Sequence, residues 1–320
     1  MRKVAFAALV FIPLSFLCFD AVVQAKKEKL PRLPGAMLLV GYPPFSLSLT
    51  TADTTRKLQD DPQADDWISP SISADGSIVA SAHRIFGEPF TRAPRLVVST
   101  YSTTDDKWTD HTGFEIRSAS VAISPDGSKL ACFVRKTPDS PSGLRVIELK
   151  TGKVAASSQV PERDGFAISW SPDGRRLAFD MIAEGKWTAA ISPTLRGIHI
   201  LNVETGEVST IAQGMSPAWS PSGEWIAFID ASSPAHSVNE YRVRRMHPDG
   251  AGSQVLTTFH SDVIPNLKPV WSPDSKTLLI NESRNPDKDT WDICLLDLAT
   301  LRLTKKFKDV PPVFAWIAAK

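Results

Sequence analysis

SWSPDGRRLAFD, residues 169–180, sets a Ser-Pro-Asp-Gly turn ahead of the apolar run Leu177-Ala178-Phe179. Alone it is only a bend. The same pattern returns as SPSISADGSIVASA (69–82), SVAISPDGSKLACFV (120–134), SPAWSPSGEWIAFID (216–230) and KPVWSPDSKTLLIN (268–281). The second turn residues are Ala74, Pro125, Pro172, Pro221 and Pro273, separated by 51, 47, 49 and 52 residues. A period near 50 residues is that of a propeller blade.

Each column of the repeat has a physical reason. A type I turn takes Ser or Asp first, Pro second and Gly fourth. Pro125, Asp126 and Gly127 meet this pattern, as do Pro172, Asp173 and Gly174. Pro221 with Gly223, and Pro273, meet it in part. Proline presets the backbone, Asp tolerates the bend, and Gly supplies the positive φ at re-entry to a strand. The departures are Ala74 for Pro, Ser222 for Asp and Ser275 for Gly, and they bear on turn stability. Before each turn stands one large apolar residue, Ile72, Ile123, Trp170, Trp219 or Trp271, preceded by Ser71, Ala122, Ser169, Ala218 or Val270. That alternation is a strand with two faces. The short apolar runs after the turns are strands buried between stacked sheets.

A second hairpin follows in every repeat, as in LRVIELKTGKVAAS (144–157) and IHILNVETGEVSTI (198–211), with Thr151-Gly152 and Thr205-Gly206 at the bends. His247-Pro248-Asp249-Gly250 is off the main period and reads as one of these outer turns. The repeat therefore has four strands, A to D. At the ends, PVFAW (312–316) supplies a strand A, with Phe314 in the column of Trp271. AMLLV (36–40) and FSLSLTTADTTRKLQ (45–59) supply strands B, C and D. The expected fold is all-β, a six-bladed propeller of four-stranded blades. Full blades start near 68, 119, 167, 216 and 268, and one blade is shared between 35–60 and 311–320. Sharing a blade leaves no open sheet edge.

Residues 1–25 form a separate segment. Arg2 and Lys3 precede the apolar Val4–Phe19, and Val23 and Ala25 suit a signal peptidase cutting before Lys26. We read a cleaved secretory signal, a single propeller domain over 26–320, and a periplasmic or secreted destination. The uncleaved alternative is a membrane anchor, for which the run is short and interrupted by Pro13. The formal net charge of +1 gives no global field for nucleic acid. Cys132 and Cys294 lie in apolar strand-like runs far apart in the repeat order and read as buried free thiols. The balance of the chain is that of a monomer.

The pattern Trp-Ser-Pro-Asp-Gly-x-x-Leu/Ile-Ala-Phe, at Trp170–Phe179 and in weaker form at Trp219–Phe228, resembles the propeller repeat of TolB-type proteins. The likeness covers nearly all of 26–320. It implies six blades and a partner that is a protein or a cell-envelope component. Similar repeats occur in oligogalacturonate lyases and in the propellers of prolyl peptidases. The sequence has no room for the α/β domain that TolB carries ahead of its propeller. It shows no Gly-x-Ser-x-Gly elbow of a hydrolase.

In a propeller the A–B and C–D turns share one face, and the B–C and D–A loops share the other. Here the first set is short and regular, and the second is long and varied. Long loops on a rigid scaffold are where binding usually resides. Phe90, Arg92, Trp187, Arg196 and His260 are the expected anchors, being aromatic residues, a histidine and arginines on that face. Phe90 and Trp187 equally suit a role in pinning their own loops. His83, His111, His236 and His260 map to the same face without metal-ligand spacing and read as solvated loop residues. Asn281-Glu282-Ser283 is a glycosylation sequon, meaningful in a eukaryote. No catalytic, cofactor or metal motif stands out. The expected function is an exported, non-catalytic binding module. The alternative is a carbohydrate-active enzyme resembling oligogalacturonate lyase, with a loop-bound metal.

Overall fold

The computed structural model describes residues 33–41, 46–51, 53–60, 67–85, 95–111, 115–135, 142–158, 167–182, 196–231, 240–260, 268–285 and 290–318. The segment 1–25 lies outside them. Among the described residues there is no helix. Twenty-four strands form six antiparallel sheets of four.

The first blade joins β1 (Ala36–Gly41), β2 (Ser46–Thr50) and β3 (Thr55–Asp60) to the last strand of the chain. The second holds β4 (Trp67–Ile72), β5 (Ile78–Ile85), β6 (Arg95–Ser102) and β7 (Lys107–His111). The third holds β8 (Glu115–Ile123), β9 (Lys129–Arg135), β10 (Ser142–Glu148) and β11 (Val154–Ser157). The fourth holds β12 (Ile168–Trp170), β13 (Arg176–Ile182), β14 (Arg196–Asn202) and β15 (Val208–Gln213). The fifth holds β16 (Met215–Trp219), β17 (Ile226–Ala231), β18 (Glu240–Met246) and β19 (Gln254–His260). The sixth holds β20 (Val270–Trp271), β21 (Thr277–Asn285), β22 (Thr290–Asp297) and β23 (Arg302–Val310). The last strand, β24 (Val313–Ile317), returns to β1 with Leu38 opposite Ala315. The shared blade and the four-stranded repeat are as the sequence indicates. The His247 turn is the C–D bend between β18 and β19.

The five inner turns share one network. Ser73, Ser124, Ser171, Ser220 and Ser272 are all buried. In the fourth blade the Ser171 hydroxyl donates to Asp173 at 2.5 Å and accepts the Arg176 N–H at 2.9 Å. Asp173 accepts the Arg175 N–H at 3.0 Å, and the Gly174 N–H closes the turn on the Ser171 carbonyl at 2.9 Å. Asp75, Asp126 and Asp274 repeat this role, whereas Ser222 holds the Glu224 N–H only at 3.4 Å. Gly76 at φ +71° needs its freedom, and a Cβ there would meet Ile317 Cδ1 at 2.8 Å.

Every seam between blades carries a directed contact. Between the second and third, Ser71 Oγ accepts the Ile123 N–H at 3.1 Å. Between the third and fourth, the Trp170 indole donates to the Ala122 carbonyl at 3.0 Å. Between the fourth and fifth, Ser169 Oγ accepts the Trp219 N–H at 2.9 Å, and the Arg176 guanidinium lies 4.8 Å over the Trp219 ring. Between the fifth and sixth, the Trp271 indole donates to the Ala218 carbonyl at 2.9 Å. Small serine and bulky indole thus alternate around the axis. The sixth is tied to the first by Asn281, whose amide bonds both the N–H and the carbonyl of Val313. The first is tied to the second by Arg56, on Tyr101 and Asp106, and by the Trp108 indole on the Leu58 carbonyl at 3.2 Å.

Two departures from the turn consensus add to these seams. Ala74, unlike proline, has an N–H, and donates it to the Pro125 carbonyl at 2.9 Å. Ser275, unlike glycine, has a hydroxyl, which accepts the Ser222 N–H at 3.0 Å, and it holds φ at 60°, as the turn demands of the glycines at this position. Both therefore act between blades rather than on turn stability alone.

Candidate functional site

The inner strands surround a central channel of about 270 Å³. All six blades line it. Its wall runs from the turn residues Ala74, Pro125, Pro172 and Pro221 to Lys268, just ahead of β20. Ile72, Ile123, Trp170, Trp219 and Phe314 make it largely apolar. Lys268 is the one ionisable side chain among the described lining residues. Its Nζ donates to the Ile168 carbonyl at 3.3 Å, reaching past the fifth blade to the fourth. The stem borders hollow space, so the residue is only half-buried, but the ammonium is enclosed by the ring. Burial pushes its pKa down from 10.5 to about 8.

The opposite face is where the sequence places the binding anchors. Phe90, Arg92 and Trp187 lie outside the described residues. They belong to the connections 86–94 and 183–195, which leave the sheets at the ends of β5 and β13, away from the Ser-Pro-Asp-Gly turns. His260 ends β19 on that side, is exposed, and sits 3.8 Å from Glu240.

Arg196 corrects the expectation of a surface anchor. It begins β14 but is 1% exposed, turned inward onto Asp180 at 3.2 and 3.3 Å. Asp180 also accepts the N–H groups of Ala167 and Ser216, each at 2.9 Å. The pair therefore fastens the entrances of β12 and β16 beneath the face, and Arg196 has no surface to offer a ligand. A buried carboxylate is tolerated because several donors converge on it.

The histidines differ from the expected loop residues. His83 lies in β5 and His111 in β7, bonded to Ser99 at 3.4 Å and to Thr100 at 2.9 Å. Burial lowers the His111 pKa, against the pull of Asp110, and so favours the neutral ring. His236 lies outside the described residues. No group of three metal-ligating side chains occurs among the described residues. Asn281 is 2% exposed with its amide committed to Val313, so its sequon is a structural element and not a glycosylation site in the folded chain. Cys132 and Cys294 are buried free thiols. Burial pushes both up to about 12, aided at Cys294 by the Glu282 carboxylate 3.2 Å away. Neither is a nucleophile at neutral pH.

No protein-family model and no curated protein matches the sequence. Solved structures do match. TolB from Acinetobacter baumannii superposes with a TM-score of 0.64 at 15% identity, over 89% of this chain and 67% of that one. The putative TolB from Agrobacterium tumefaciens gives 0.55 at 15%, over 85% and 88%. The fold is a TolB-like propeller. An oligogalacturonate lyase in complex with manganese shares it more distantly, with a TM-score of 0.53 at 11% identity, over 83% and 71%. At such identities the likeness is one of fold, and fold alone does not carry function.

The roles of three residues of this TolB-like propeller were not read from the sequence. Asp180 and Asn281 share one repeat position, where the other full blades place Ala82, Phe133 and Ile229. A polar side chain in an otherwise apolar column is the signal that marks them. Lys268 stands in the column of Ser69, Ser120, Ala167 and Ser216. A lysine among small residues ahead of an inner strand is the signal that marks it.

Proposed function

We propose that the chain is an exported, non-catalytic binding module that docks a protein or cell-envelope ligand on the face opposite the Ser-Pro-Asp-Gly turns. The observation that carries this reading is the contrast between the two faces. The turn face is made of near-identical bends whose polar groups are spent on one another and on the neighbouring blade. The opposite strand ends feed connections of differing length, 86–94, 136–141, 183–195 and 232–239 among them. Conserved geometry on one side and variation on the other is how a rigid scaffold presents a recognition surface. Phe90, Arg92, Trp187 and His260 are its anchors. Arg196 serves it from below by holding the ends of β13 and β14.

Affinity capture from the source organism's envelope extract tests this. A specific partner should be retained by the wild-type chain and lost, by tenfold or more in Kd, on Phe90→Ala, Arg92→Ala or Trp187→Ala. Equal retention by all three variants overturns the reading. N-terminal sequencing of the exported protein should begin at Lys26. The fold shared with a manganese-bound lyase makes metal content the check on catalysis. Tight stoichiometric metal in the purified protein would replace this reading by the enzyme.

A further inference from the structure

We propose that the central channel is itself a binding site, for a small organic monocarboxylate that enters from the Ser-Pro-Asp-Gly face and meets Lys268 at the inner end. This mouth is opposite to the docking face proposed above, so each idea stands or falls without the other.

The charge on the wall is the first argument. Among the described residues Lys268 is the one ionisable lining residue, and its ammonium has a single carbonyl as partner at 3.3 Å. An enclosed cation with three donors and one weak acceptor is under-satisfied. One added negative charge would complete it. A phosphate monoester, close to doubly charged at neutral pH, would leave excess charge against an apolar wall. A monocarboxylate matches.

The hydrogen-bond polarity of the wall is the second. Ser71 Oγ already accepts the Ile123 N–H, and Ser169 Oγ accepts the Trp219 N–H. Each hydroxyl retains its own proton, and both line the channel. With Lys268 they offer donors to whatever fills the space. Carboxylate oxygens are acceptors only.

Shape and lining supply the third. A volume of about 270 Å³ lies just below the range of drug-sized pockets, which suits a small acid rather than a peptide. Ile72, Ile123, Trp170, Trp219 and Phe314 would cover its apolar body. The turn prolines at the mouth leave no N–H to compete for the carboxylate there.

Calorimetric titration of the purified protein with hexanoate, phenylpropionate, hexanamide and inorganic phosphate tests the site. At pH 7 the two carboxylates should bind at least about tenfold more tightly than the amide or phosphate. Lys268→Met should lose carboxylate binding by a similar factor while unfolding as cooperatively as the wild type. Lys268→Arg should keep it. Affinity should fall as pH rises from 7 to 9, since Lys268 is the titrating group among the described lining residues. An NMR titration of the Lys268 ammonium gives a readout that needs no variant, because bound hexanoate should raise its pKa. Carboxylate and amide binding equally, Lys268→Met binding as wild type, or no acid binding to the folded protein each overturns the proposal.

Discussion

Lys268 and Arg196 are cations of one ring treated in opposite ways. Arg196 is paired through two of its nitrogens with a carboxylate, and removing it strands Asp180 in the interior. Arg196→Ala should therefore cost about 3–5 kcal/mol in urea unfolding, far above the cost of trimming a surface anchor. Lys268 meets one carbonyl and, among the described residues, no carboxylate. Its folded pKa, about 8, lies below the ordinary 10.5. Between those values the unfolded chain binds more protons than the folded one, so stability should rise with pH across that window. Below about 8 the buried charge is a fixed burden. Lys268→Met should then stabilise the protein by roughly 1–3 kcal/mol at pH 7, the shift being partly screened by water in the channel.

The A–B turn is the element the sequence displayed most openly. Its spacing, its proline and glycine, and the apolar columns around it were all legible, because local chemistry dictates them. Less legible was where the polar atoms go. Ser171 is 1% exposed and serves an aspartate and a backbone N–H together. Ser171→Ala should cost about 2 kcal/mol, by leaving a buried N–H unmet. The same cradle shapes the acid response. Partial burial pushes the Asp173 carboxyl up, but the Ser171 hydroxyl, the Arg175 N–H and two nearby arginines outweigh it and hold it below 3.8. Asp126 behaves alike, and at Asp274 the Ser272 hydroxyl leads. A lowered carboxylate adds stability that is present in full above its ordinary value and is lost as pH falls through the lowered one. The melting temperature should hold down to about pH 4 and drop below it. Asp126→Asn with Asp173→Asn should flatten that drop. The departures at Ala74 and Ser275 show why the rest was hidden. A residue that looks like a lapse in one repeat is set by its neighbour in the next, and that pairing appears only once the blades stand side by side.

At the scale of the whole molecule, six blades and their shared closure followed from the period and from the strand-like runs at the two ends. The site did not, since channel-facing residues are drawn from all six blades and so from far-apart parts of the chain. Closure itself is testable. Deleting residues 313–320 removes β24, the Asn281–Val313 tie and the indole bond from Trp316 to the Pro34 carbonyl at 2.7 Å. The truncated chain should lose its cooperative unfolding transition and gain in aggregation, because β1 is left as an unpaired edge.

That same strand sets a timetable. The contact between Trp316 and Pro34 spans 282 positions. It cannot form until β24 has been made. Until then the chain is an open arc, with β1 an adhesive strand whose mate is still to come. Loop closure over such a distance favours slow, late ring completion. Two arcs held close together could complete each other instead, giving an exchanged pair in which each molecule wears the other's final strand.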